Sequence, residues 1–210
     1  MEALLAFGAA LLALRLSGLL AARWRATRSP GFAAWSAGLA AYALGAAALA
    51  WGAAAGWDDQ AFRAYYLFGG LLTAPLLGAG SLLGPHSQVG TRQRLAGPVV
   101  LVYTGLAIGI AVAVPLAAPV SGTTIPEAQA HLELFPARIL AIVGNVAGSV
   151  ALVGVALLTL RRRPLGNSLL LAGFTLAAVG SALAGLGAGE TALFVAVAAG
   201  LIYAGTVARS

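Results

Sequence analysis

The sequence predicts an all-α fold, a polytopic membrane bundle of seven transmembrane helices with its N-terminus outside and its C-terminus cytoplasmic. Composition is the first reason. Of the 210 residues 60% are hydrophobic and only 9% charged, too little polar surface to cover a water-soluble globule. Length is the second: seven apolar runs each approach the roughly 20 residues that a helix, rising about 1.5 Å per residue, needs to cross a bilayer. Charge is the third. With those runs drawn as helices, all 6 acidic residues lie on one side, and of the 12 basic residues only Arg15, Arg63 and Arg138 lie away from the other, the asymmetry expected of arginine-rich cytoplasmic loops.

The first span covers about residues 2–22 and runs into Arg23, Trp24, Arg25 and Arg28 before a turn at Ser29-Pro30-Gly31, where proline and glycine suit a break between helices. Its start carries Glu2 and no basic residue, so it reads as a retained span and not as a secretory leader. The second span, about 32–55, ends at Trp57-Asp58-Asp59, and the third, about 63–84, opens on Tyr65 and Tyr66, aromatics expected at a headgroup boundary. A polar, basic linker over 85–94, containing His86, leads into a fourth span over about 95–119. In the outer segment that follows, Thr124 and Glu127 have the spacing of a capping box for a short interfacial helix reaching Phe135.

The fifth span, about 136–160, ends at Arg161-Arg162-Arg163-Pro164; the sixth covers about 165–186, and the seventh, about 190–208, starts at Glu190 and reaches Arg209. Together they form one domain over residues 1–210. Basic, proline-containing connections follow both the first and the fifth span, and residues 76–81 align without gaps on 201–206, in keeping with a 3+1+3 pseudo-repeat of parallel halves.

Several chemistries lack their parts. With no cysteine there are no disulfides or thiolate nucleophiles, and with no lysine there is no retinal-type Schiff base. No span carries histidine, aspartate or glutamate at depth, which removes intramembrane Ser/His or carboxylate-dyad proteolysis and proton transfer through buried acids. The chain therefore leans away from an enzyme, and no cofactor is called for. The net charge of +6 comes from arginines at helix ends, which serve as anchors to membrane lipids and not as a nucleic-acid surface.

The few polar residues within spans carry the information about a site. Arg15 lies about seven residues, on the order of 10 Å by helical rise, before the basic end of the first span; it either snorkels to headgroups or turns inward to hold an anionic group. Asn145 sits between small residues in the fifth span, where an amide needs an interhelical partner or a ligand. Tyr42, Tyr103 and Tyr203 lie within the second, fourth and seventh spans, and Thr73 precedes Pro75 in the third. Pro75 lacks the N–H that would bond the carbonyl one turn earlier, near Leu71, and so can bend the helix beside a cavity. These seven residues are the candidate lining of a small-molecule site.

Glu127, His131 and Glu133 form the one cluster with metal-binding character, a weak candidate because a solvated outer helix would present the same residues. The 28 glycines, with Gly69 and Gly70, Gly80 and Gly84, Gly105 and Gly109, and Gly144 and Gly148 among them, give faces on which helix backbones approach closely. Those faces also fit a membrane-protein partner.

Residues 62–75, Phe-Arg-Ala-Tyr-Tyr-Leu-Phe-Gly-Gly-Leu-Leu-Thr-Ala-Pro, with Asn167-Ser-Leu-Leu-Leu-Ala-Gly-Phe-Thr at the start of the sixth span, resemble a family of small bacterial seven-span integral membrane proteins of uncharacterised activity. The resemblance implies the bundle and a bacterial inner-membrane location, and carries over no functional residue. In span count and paired halves the chain is also similar to SWEET-type sugar transporters, although it has no Pro-Gln pair. Three functional classes follow: a bundle that binds or transports a small, amphipathic molecule; an accessory or scaffold subunit of a larger membrane complex; and a ligand sensor without its own effector domain.

Overall fold

The computed structural model describes residues 2–84, 92–161, 164–185 and 191–207. The linker stretch 85–91 with His86, together with Arg162, Arg163, Glu190 and Arg209, lies outside them. Among the described residues the chain is all helical, without a strand. Helix α1 spans Glu2–Thr27 and α2 Pro30–Ala55; α3 (Asp59–Tyr65), a π-helical stretch (Tyr66–Leu72) and α4 (Thr73–Leu82) run on as one rod; then come α5 (Arg92–Ala113), the single turn α6 (Ala128–His131), α7 (Ile139–Leu158), α8 (Pro164–Gly185) and α9 (Thr191–Val207). Five helices are long and apolar enough to cross a membrane: Glu2–Thr27, Pro30–Ala55, Asp59–Leu82, Leu95–Ala113 and Leu134–Leu158. Pro164–Ala177 and Leu193–Gly205 are shorter apolar stretches.

Local chemistry sets the ends. Helix α1 continues through Trp24 and Arg25, since arginine is a good helix former, and stops where Arg28 takes a positive φ of 55° and donates its N–H to the Trp24 carbonyl at 2.7 Å. Pro30 then occupies the first turn of α2, the position at which its missing N–H is not needed. Asp58 caps α3, its carboxylate accepting from Ala61 N–H at 2.7 Å. The fourth span is shorter than the sequence predicts, ending at Ala113 and not near residue 119. Pro115 disfavours helical geometry at the residue before it, and Pro119 prevents its resumption.

The interfacial helix expected up to Phe135 is also corrected: only Ala128–His131 is helical, and Glu127 stands at its N-cap without a side-chain cap bond. Leu132 turns extended, at φ −124° and ψ 133°, because that conformation buries its side chain among Trp57, Phe62, Val120 and Ala137. Residues 114–132 thus make a cover over the end of the bundle that carries Asp58 and Asp59. Its backbone is pinned there by Val120 N–H to Asp59 Oδ1 at 2.8 Å, Trp57 N–H to Gly122 O at 2.7 Å and Ala117 N–H to His131 O at 2.9 Å.

Helices α1, α2, the α3–α4 rod, α7, α8 and α9 close into a ring, each packed on the next, with α9 returning to α1. Small residues permit the close approaches. The α4–α7 contact brings Gly148 onto the backbone of Ala74 and Pro75, with Gly78 against Gly148 itself, and in lipid such dispersion contacts and buried hydrogen bonds carry most of the association energy. Ser17 and Ser36 join α1 to α2 reciprocally, each hydroxyl donating to the other's carbonyl at 2.8 and 2.9 Å. Helix α5 stands outside the ring, holding the rod through Ala107 and Tyr103, while Leu101, Leu106, Ile108 and Val112 are exposed.

Candidate functional site

The rod between α3 and α4 is where sequence and geometry meet. Pro75 cannot donate to Leu71, and its ring would crowd that carbonyl in a regular helix; the preceding residues 66–72 widen into π-helix, a distortion frequent at functional sites. Side chains take up the opened carbonyls. The Thr73 hydroxyl donates to Phe68 O at 2.7 Å, Asn145 Nδ2 from α7 donates to Gly70 O at 2.9 Å, and the Tyr103 hydroxyl from α5 donates to Leu71 O at 2.9 Å and lies 3.2 Å from Leu140 O. An unsatisfied carbonyl in an apolar interior would be costly, so these bonds hold the widened segment in place.

Beside that segment, inside the ring, is a cavity of about 540 Å³, within the roughly 300–1,000 Å³ of small-molecule sites. Helices α2, the rod, α7, α8 and α9 all contribute to its wall. Leu39, Leu77, Leu152 and Ile202 belong to the packed cluster that closes it toward the arginine-bearing end. Toward the other end Leu49, Tyr65 and Tyr66 join the wall to the cluster of Trp57 and Phe62 under the 114–132 cover.

Three of the residues singled out from sequence, Tyr42, Thr73 and Asn145, line this space. The Tyr42 hydroxyl crosses to α9 and donates to Val195 O at 2.7 Å. Pro75 and Tyr103 lie outside the lining and shape it from behind, through the π-helical segment. Arg15 and Tyr203 are elsewhere: Arg15 is exposed, with its guanidinium 5.7 Å from the centroid of the Tyr203 ring, a cation–π pair on the α1–α9 surface.

The outer cluster does not assemble. His131 Nδ1 lies 3.1 Å from Ala118 O, its ring packs on Phe62 at 5.4 Å, and Glu127 accepts from Gln129 Nε2 at 2.9 Å. Among the described residues no three His, Cys, Asp or Glu side chains gather to hold a metal ion.

Sequence reasoning missed part of the wall. Tyr65 and Tyr66, expected at a headgroup boundary, line the cavity, as do Ser149, Phe174 and Thr175. A helical signal was available: Asn145, Gly148, Ser149 and Leu152 share one face of α7, and Tyr65, Gly69, Thr73 and Leu77 recur at four-residue intervals along the rod. Comparison with protein-family models, with curated proteins and with solved structures returned no match to this chain.

Proposed function

We propose that this is a multi-pass protein of the cell membrane that binds, and in a cycle of opening and closing transports, a small amphipathic molecule held inside the helix ring. The observation that carries the reading is the cavity beside the π-helical segment, apolar over most of its wall, with Tyr42, Thr73 and Asn145 among its polar points. Such a combination gives affinity through apolar contact and orientation through a few hydrogen bonds. Helices α8 and α9 complete seven spans in this reading, with the arginine-bearing end cytoplasmic and Glu2 outside. The position of α5 outside the ring supports a 3+1+3 plan in which the fourth helix links two halves.

The test is mass spectrometry of the protein released from lipid nanodiscs formed directly from cell membranes. The native chain is expected to retain a small molecule, and Gly69→Leu, which directs a side chain toward Tyr65 where an added Cβ meets only an ordinary 3.9 Å contact, is expected to lose it. A native chain that comes out empty would sink the reading.

One observation favours the scaffold alternative: Gly105 and Gly109 of α5 are exposed and a Cβ on either would meet nothing within 4 Å, the small-residue spacing on which a partner helix packs. Loss of a co-purifying membrane protein on Gly105→Leu, with the cavity empty in the native chain, would select it. The sensor alternative has less support, because the outer helix it relies on is a single turn.

A further inference from the structure

We infer that the molecule held in the ring is electrically neutral, hydrogen-bonds through a hydroxyl or carbonyl group, and enters sideways from the hydrocarbon between α7 and α8. The inference rests on the binding reading above and specifies its ligand and its route.

The wall settles the charge. Among the described residues, no Asp, Glu, Lys, Arg or His side chain lines the cavity. Of the basic groups on neighbouring elements, Arg63 donates to Ala111 O at 2.6 Å and Arg15 lies on the Tyr203 ring, while Arg138, close enough to Tyr66 to act on its hydroxyl, stands behind the wall and is not part of the lining. An ion in this space would lose its hydration without a counter-charge. What the wall does offer is neutral. The Tyr65, Ser149 and Thr175 hydroxyls have no hydrogen-bond partner among the described residues, and Asn145, which also lines the cavity, commits its amide nitrogen to Gly70 O while its side-chain carbonyl has no partner among them. A ligand hydroxyl can donate to Asn145 Oδ1 and accept from Tyr65 or Ser149; a ligand carbonyl can accept from either hydroxyl.

The same residues indicate the route. Among the described residues, packed side chains stand at each end of the cavity, Leu39, Leu77, Leu152 and Ile202 at one and the Trp57–Phe62 cluster at the other. Of the residues that line it, Ser149 on α7 and Thr175 on α8 are the two exposed at the bundle surface. Among the described residues, the hydrogen bonds that tie α7 to α8 lie at the arginine-bearing end, where the buried Asn167 donates to Thr159 Oγ1 at 2.9 Å and to Ala156 O at 3.3 Å. Beyond that tie the exposed residues of the wall are Ser149 and Thr175, which in the multi-pass reading lie at the depth of the hydrocarbon. A molecule using this opening is already dissolved in the bilayer.

The experiment uses the full chain in nanodiscs with a diazirine-bearing long-chain alcohol and the matched long-chain carboxylate, mapping photo-adducts by peptide. The alcohol is expected to label the peptides of Tyr65 and Asn145, and the carboxylate to label them roughly a hundredfold less at equal bilayer concentration, the ratio that a few kcal/mol of charge burial gives. Ser149→Phe and Thr175→Phe each place a ring at the exposed edge of the cavity wall. Each is expected to slow labelling after mixing by roughly tenfold or more. Equal labelling by alcohol and carboxylate, or unchanged rates in both phenylalanine variants, would overturn the inference while leaving cavity binding intact. If the native chain and Gly69→Leu give the same adducts for both probes, cavity binding itself falls, and this inference with it.

Discussion

The hydroxyl of Tyr103 donates to the carbonyl of Leu71 across 2.9 Å, and that carbonyl is open because the residue four positions on is Pro75. A backbone fault in one helix is thereby repaired by a side chain from another. Because α5 meets the ring mainly along the rod, this bond also helps hold the one span that stands outside.

Tyr103→Phe is expected to lower stability by about 1 kcal/mol, the usual worth of an interhelical hydrogen bond in a membrane bundle. Pro75→Ala supplies the missing N–H, so in that background Tyr103→Phe should cost clearly less. Thermal unfolding of the four proteins in detergent gives the coupling by a double-mutant cycle; additive costs would show that the hydroxyl does not act through the opened carbonyl.

Asn145→Leu removes the bond to Gly70 O and is expected to cost about 1 kcal/mol or somewhat more, since the buried carbonyl is left unmet. If the amide also holds the ligand, binding of the long-chain alcohol should weaken further than in Thr73→Val, whose hydroxyl is committed to Phe68 O. Equal affinity in the two variants would confine Asn145 to a structural role.

Glycines of the same spacing should behave in opposite ways. Gly148→Ala places a methyl against the Ala74 and Pro75 backbone, which cannot move aside cheaply, and a loss of about 1–3 kcal/mol is expected. Gly109→Ala meets open space and should be neutral or stabilising by up to about 1 kcal/mol, as alanine is the better helix former. Measured unfolding of both in one detergent distinguishes a packed glycine from a free one.

At the covered end, Asp59→Ala releases the Val120 N–H and Asp58→Ala removes the α3 cap. Each is expected to cost about 1 kcal/mol, but only Asp59→Ala should speed proteolysis within residues 114–125. Equal cleavage in both variants would mean that the cover is held by its apolar contacts alone.

The same contrast between committed and open groups explains what was legible in advance. Pro75 and the opened carbonyl near Leu71 follow from covalent structure, as does the break at Ser29-Pro30-Gly31; these need only the local chain. The 114–132 cover did not follow, because prolines at 115 and 119 compete with an apolar run that continues past them, and hydropathy does not register the competition.

The amino-acid sequence by itself determined an apolar helical chain and the place where the third helix distorts. Tertiary structure decided which partners meet: Tyr103 with Leu71, Asn145 with Gly70, Arg15 with Tyr203 on the outside, and Tyr65 and Ser149 on a common cavity. The physical reason is that helices apolar on every side carry little periodic signal for which face turns inward. Lipid is as apolar as leucine, so facing is set by small-residue contact and by hydrogen bonds between residues far apart in the chain, and these exist only once the ring has closed.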